Sequence, residues 1–168
     1  MQPARDPFAR LENTHRRIEE RLATLERAAS ELDGVERMRA LDDVYDVVAF
    51  FARAAARHHE DEEKSLFPRL RAVAELEPLV RSLADEHREH DDVYNEIAAL
   101  VRAFPTDVGP ERADEARLAA LARRLSDVYR AHIDREEKEL FPTARRVLDA
   151  AACEEMADEM EARRGQRR

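Results

Sequence analysis

The chain has one cysteine, three glycines, no tryptophan and no long apolar run in its 168 residues. Each shortage removes a class of protein. Cys153 alone cannot close an internal disulfide, and a reducing compartment fits. It cannot supply the thiolate sets of zinc fingers or iron–sulfur clusters either. A thiol in an Ala-rich segment is ordinarily a small packed hydrophobe. Scarce glycine, set against 40% charged residues, excludes a sheet-rich fold and predicts an all-α one. Aromatics are 5% of the chain, so the core must be mostly aliphatic. No segment approaches transmembrane length, and charges run through the first twenty residues, which predicts no secretory leader. The expectation is a soluble cytoplasmic protein. A net charge of −9 argues against nucleic acid as a partner. The one basic run, Arg163-Arg164-Gly165-Gln166-Arg167-Arg168, reads as a frayed, solvated tail.

What is present is helical periodicity. Pro7 opens a first helix behind Asp6 as N-cap, with Leu11, His15, Ile18, Leu22 and Leu25 at spacings of three and four, and Gly34 ends it. A second helix is predicted from Glu36 to Phe67, where Pro68 breaks or kinks the chain. A third starts at Pro78 and carries Leu79, Leu83, His87, His90, Tyr94, Ile97 and Val101. Phe104 to Pro110 is the clearest loop. A fourth helix spans Arg112 to Phe141 before a second break at Pro142. Four long helices on short connections predict one domain, an up-down-up-down four-helix bundle over about residues 8–145. A short C-terminal helix, about residues 143–164, follows it with Val147, Leu148, Met156 and Met160 on its apolar side.

One run occurs twice. His58-His59-Glu60-Asp61-Glu62-Glu63-Lys64-Ser65-Leu66-Phe67-Pro68 returns 74 residues later as His132-Ile133-Asp134-Arg135-Glu136-Glu137-Lys138-Glu139-Leu140-Phe141-Pro142. Each copy sets a His and a Glu four residues apart, one above the other on a helix face. Leu66 and Leu140 continue those stripes, so both face inward. An offset of 75 further matches His15 and Ile18 with His90 and Val93. Helices one and two therefore read as a hairpin that returns as helices three and four.

A lone His on an apolar stripe is ordinarily a hydrogen-bonded core residue, and a lone Glu is ordinarily solvated. Six His, all on helices, beside inward-facing Glu62 and Glu136 are a different matter. Buried together they are expensive to desolvate, and a metal is the common compensation. The candidate ligands are His15, His58, Glu62, His87, His90, His132 and Glu136. The repeat selects His90 as the counterpart of His15, which leaves His87 as an extra ligand or a group behind the ligands. Glu86 could also reach in. Glu63 and Glu137 stay open as alternatives to their neighbours. His59 matches Ile133 in the other copy, which suggests helix packing.

These residues resemble the hemerythrin-like, or HHE cation-binding, family. The resemblance rests on His15, the paired His-x-x-x-Glu-Glu-x-x-Leu-Phe-Pro runs, and Glu89-His90-x-x-Val93. It implies a bundle holding two non-haem irons with an oxo or hydroxo bridge. By position, His15, His58, His90 and His132 would be terminal ligands, and Glu62 and Glu136 bridges. Oxygen-carrying members place His-x-x-x-His on the third helix, where this chain has Glu86 four residues before His90. Imidazole with carboxylate also suits manganese or zinc. Asp91 and Glu137 are candidates to accept from ligand N–H groups.

Two His-rich positions leave room for a small ligand such as oxygen, nitric oxide or peroxide. The expected function is binding, sensing or iron handling. An enzyme that decomposes peroxide or reduces nitric oxide is the alternative, and a metal that only staples the bundle is a third reading. A sensor of this size would signal through a protein partner or a homodimer.

Overall fold

The computed structural model of the chain describes residues 6–105 and 108–165. Thr106 and Asp107 of the expected loop, and the last three residues of the basic run, lie outside them. Every element in the described residues is helical.

Helix α1 spans Pro7–Glu31, and the Asp6 carboxylate accepts from the Phe8 N–H at 3.0 Å. This is the expected cap, and it satisfies one of the free N–H groups at the helix start. A second rod runs from Arg37 to Leu70 without a break. It comprises α2 (Arg37–Phe50), a π turn (Phe51–Ala55), α3 (Ala56–Asp61), a second π turn (Glu62–Leu66) and α4 (Phe67–Leu70). Helix α5 (Glu77–Arg102) has Pro78 in its first turn, where a missing N–H costs nothing. The fourth rod comprises α6 (Arg112–Arg135), a π turn (Glu136–Leu140) and α7 (Phe141–Val147). Helix α8 (Ala150–Gly165) follows, and Asp149 accepts from the Ala152 N–H at 2.8 Å.

The expected breaks at Pro68 and Pro142 are not there. Both prolines sit in the first turn of a helix that carries on from the π turn before it. The N–H groups of Phe67 and Phe141 reach back five residues to the Glu62 and Glu136 carbonyls. The widened turn leaves room for a ring that would clash in a regular α-helix, so each rod passes its proline.

Helix α1 packs along α2 and α6, and α5 packs along α6 and meets α2. Their apolar stripes form two clusters. One holds Ile18, Leu22, Val44, Ile97, Leu118 and Leu125 among others. The second, at the opposite end, holds Phe8, Leu11, Phe67, Leu83, Phe141 and Met156. Between them every rod contributes polar residues. Along α1, Leu11 belongs to one cluster and Ile18 to the other, with buried His15 between. Along α5, His87 and His90 lie between Leu83 and Val93 in the same way. The site is a polar layer sealed on both sides by hydrocarbon.

Arg163 and Arg164, read from sequence as part of a frayed tail, are tied down. Both guanidinium groups donate to the buried Asp61 carboxylate at 2.9 Å. They hold α8 across the π turn at Glu62–Leu66, where Glu159 also accepts from Ser65 and Arg69.

Candidate metal centre

Four imidazoles and two carboxylates converge in the polar layer. His15 and His58 bring their Nε2 atoms to 3.0 Å, and His87 and His132 bring theirs to 3.2 Å. Glu62 spans the two pairs, with Oε1 at 3.2 Å from His58 and Oε2 at 3.3 Å from His87. Glu136 does the same from the fourth rod. Its Oε2 lies 3.2 Å from His15 and its Oε1 lies 3.4 Å from His132. Two donor groups result: His15, His58, Glu62 and Glu136, and Glu62, His87, His132 and Glu136. Both carboxylates are 0% exposed.

The outer nitrogens define the chemistry of the inner ones. His15 Nδ1 meets Glu137 at 2.8 Å, His87 Nδ1 meets Glu63 at 2.9 Å and His132 Nδ1 meets Glu86 at 2.8 Å. A carboxylate accepts, so each of these rings donates from Nδ1 and, when neutral, turns a lone pair inward from Nε2. His87 and His132 therefore face one another lone pair to lone pair. With neutral imidazoles, the four oxygens of Glu62 and Glu136 lack a hydrogen-bonding donor among the described residues; a protonated His15 or His132 supplies one to Glu136. A buried cluster of acceptors without donors is costly unless a cation lies among them. The residues fit a pair of N/O-bound metal ions.

Protonation of the metal-free site carries the same strain. Burial pushes the Glu62 carboxyl well above its ordinary range, and the Glu136 charge adds to the effect. Glu136 itself is held well below, because His132 and His15 together outweigh its burial. Burial is the largest influence on His15 and lowers it. The carboxylates of Glu136, Glu62 and Glu137 more than reverse that and raise it. His132 is raised against burial by Glu136 and Glu62. Burial, then the neighbouring His15, drives His58 well below its usual value.

Of the candidate ligands read from sequence, His15, His58, Glu62, His87, His132 and Glu136 come together. His90 does not. The expected partner of His15 across the repeat was His90, but His87 occupies that place, 72 residues on rather than 75. The difference is one helical turn, and both residues lie on the buried stripe. Leu83 stands four residues before His87 as Leu11 stands before His15, which is the signal that identifies the register. Glu63 and Glu137 accept from His87 and His15 instead of spanning the pairs. Glu86 serves His132, and Asp91 approaches His59, at 3.8 Å.

A second set lies behind this one. His90 stacks on Tyr129 with ring centroids 4.0 Å apart and sets its edge against His132. His59 stacks on His87 at 4.0 Å, and its Nε2 lies 3.3 Å from the Tyr129 hydroxyl. Burial pushes His59 down to about 4 and His90 well below the usual histidine range, with neighbouring imidazoles adding to both. Sequence reasoning missed Tyr129, which looks like one more apolar position three residues before His132. A surface cavity of about 370 Å³ opens beside His87, lined by Glu63, Arg71, Ala84, Arg88 and Asp91.

Residues 6–144 match the model of the hemerythrin HHE cation-binding domain. The chain belongs to this family. An uncharacterised protein from Haemophilus influenzae is 34% identical over 125 residues, covering 74% of this chain and 69% of its own. No solved structure matches. Family membership and the two His/Glu groups together identify a metal-binding HHE domain. No helix in the described residues is long and apolar enough to cross a membrane.

Proposed function

We propose that this HHE domain is an up-down-up-down four-helix bundle that holds a non-haem di-iron centre and binds a small ligand there. The ligand is oxygen, nitric oxide or peroxide, and the role is binding, sensing or iron handling. One observation carries the reading: the imidazoles of His15, His58, His87 and His132 and the carboxylates of Glu62 and Glu136 converge into two fully buried donor groups that share both carboxylates. His15 and His58 would serve one ion, His87 and His132 the other, and Glu62 and Glu136 both. Iron follows from the family and the N/O donors; manganese and zinc suit the same set. When bound, the iron pair supplies reversible redox chemistry and coordination positions for a small ligand.

The protein's part is positioning and exclusion of water. Glu137, Glu63 and Glu86 hold the imidazoles in the tautomer that presents Nε2. Phe141 stacks on His15 and Phe67 on His87, with centroids 5.6 and 5.5 Å apart, closing the site on the side of the aromatic cluster. A small molecule would approach from the surface cavity that His87 helps to line. The test is an optical spectrum of the iron-loaded protein, first anaerobic and then exposed to each ligand. Reversible ligand-dependent bands are expected. An unchanged spectrum with all three would overturn the reading.

A catalytic alternative, turnover of peroxide or nitric oxide, is favoured by the buried hydroxyl of Tyr129 and its neighbour His59. His59 stacks on His87, and Tyr129 stacks on His59 and His90 behind it. Gas evolution from peroxide that is lost in Tyr129→Phe at unchanged metal content would support it.

A further inference from the structure

The two halves of the site are built to one plan, and the plan fails at one place. Three of the four converging imidazoles have a carboxylate on Nδ1. The fourth, His58, is 3% exposed, and its Nδ1 has no partner among the described residues. The repeat locates the missing group. His87 follows His15 by 72 residues, and Glu86, which serves His132, follows Thr14 by the same interval. Thr14 turns its hydroxyl to the Arg10 carbonyl at 3.1 Å. The difference extends one layer outward. Glu86 is held by Arg135, but the residue at the equivalent place in the earlier run is Asp61, which is itself held by Arg163 and Arg164. An acid at position 14 would have had Asp61 for a neighbour in place of an arginine.

We infer that the two metal positions are inequivalent: the His87/His132 position binds first and tightly, and the His15/His58 position binds second and weakly, because His58 lacks the carboxylate that Glu86 gives His132. This rests on the di-metal reading above. A carboxylate on the far nitrogen fixes the tautomer, stops ring rotation and makes the imidazole a better donor. Loss of such a partner weakens metal affinity by about 10–100-fold, which sets the expected gap between the two steps. Glu86 is thus a positioning residue, acting through His132, and Thr14 is the site of its absence.

The experiment is an anaerobic titration of the metal-free full chain with cobalt(II), read by optical absorption against a competing chelator. The wild type should take up two ions in two steps separated by about 10–100-fold. Glu86→Thr should weaken the first step and bring the two midpoints together. Glu86→Gln, which keeps an acceptor oxygen for His132, should preserve most of the separation. Thr14→Glu should tighten the second step alone. A single midpoint for both ions in the wild type overturns the inference while leaving the di-metal reading intact. So does a Glu86→Thr protein whose weaker step is the one that moves. Should that variant lose its helix content by circular dichroism, the wild-type isotherm and Thr14→Glu decide the matter. No cobalt uptake at all defeats both readings.

Discussion

At the scale of single residues the site is defined by what its atoms lack. Glu62 and Glu136 are fully buried, and with neutral imidazoles their oxygens have no hydrogen-bonding donors among the described residues. Glu62→Gln can place an N–H donor before the inward lone pair of His87. It should lower metal content below half of the wild-type value while raising the stability of the metal-free fold by about 1–3 kcal/mol. Elemental analysis and denaturant unfolding of the chelated protein measure the two effects. A stability loss with metal retained would show Glu62 to be a structural residue. The proton balance is a second check. His15, His132 and Glu62 are all raised in the metal-free protein. The two histidines stabilise the metal-free fold below their ordinary range, and that stability is lost as pH rises through their raised values. Glu62 favours its protonated form, so its burial costs more as pH rises past the ordinary carboxyl range. All three act in the same direction, and a cation displaces their protons. Metal uptake near neutral pH should therefore release protons and weaken on acidification. Calorimetry in buffers of different ionisation heat reads the release, and a buffer-independent heat would contradict it.

At the scale of elements, the motif helices owe their form to π turns that the sequence does not announce. The periodic Leu, Val and Ile positions of each rod were legible, as were the Asp6 cap and the inward stripe of His58, Glu62 and Leu66. Proline in a helical pattern reads as a stop. The reach from Phe67 to the Glu62 carbonyl becomes visible only when the backbone is in view. The register of α5 was hidden for another reason. His87 and His90 differ by one turn on one buried stripe, so burial could not choose between them, although the Leu83–His87 spacing could have. The hold on α8 was illegible too, since Arg163 and Arg164 find Asp61 across about a hundred residues of chain. That contact predicts a mutant. Asp61→Asn should cost about 1–3 kcal/mol, because a nearly inaccessible acceptor of two charged hydrogen bonds is weakened. Hydrogen exchange should rise across α8 first. Unchanged protection there would show that Cys153, Met156 and Met160 hold the helix without Asp61.

At the scale of the whole molecule, two hydrocarbon clusters enclose a layer of ionisable groups. An aliphatic core of the same volume would be more stable than this one without metal, so the layer exists for what it holds. The repeat explains its near-symmetry. Each half of the chain supplies a His from one rod and a His-x-x-x-Glu from the next, and Glu62 and Glu136 belong to both donor groups. The measurement that tests this most directly is the metal-to-protein ratio of the chain after anaerobic reconstitution with ferrous ion, beside a Glu62→Gln, Glu136→Gln double variant that folds. The account predicts about two ions per chain in the wild type and nearly none in the variant. A wild-type chain that takes up no metal, or a double variant that keeps its full complement, would contradict it.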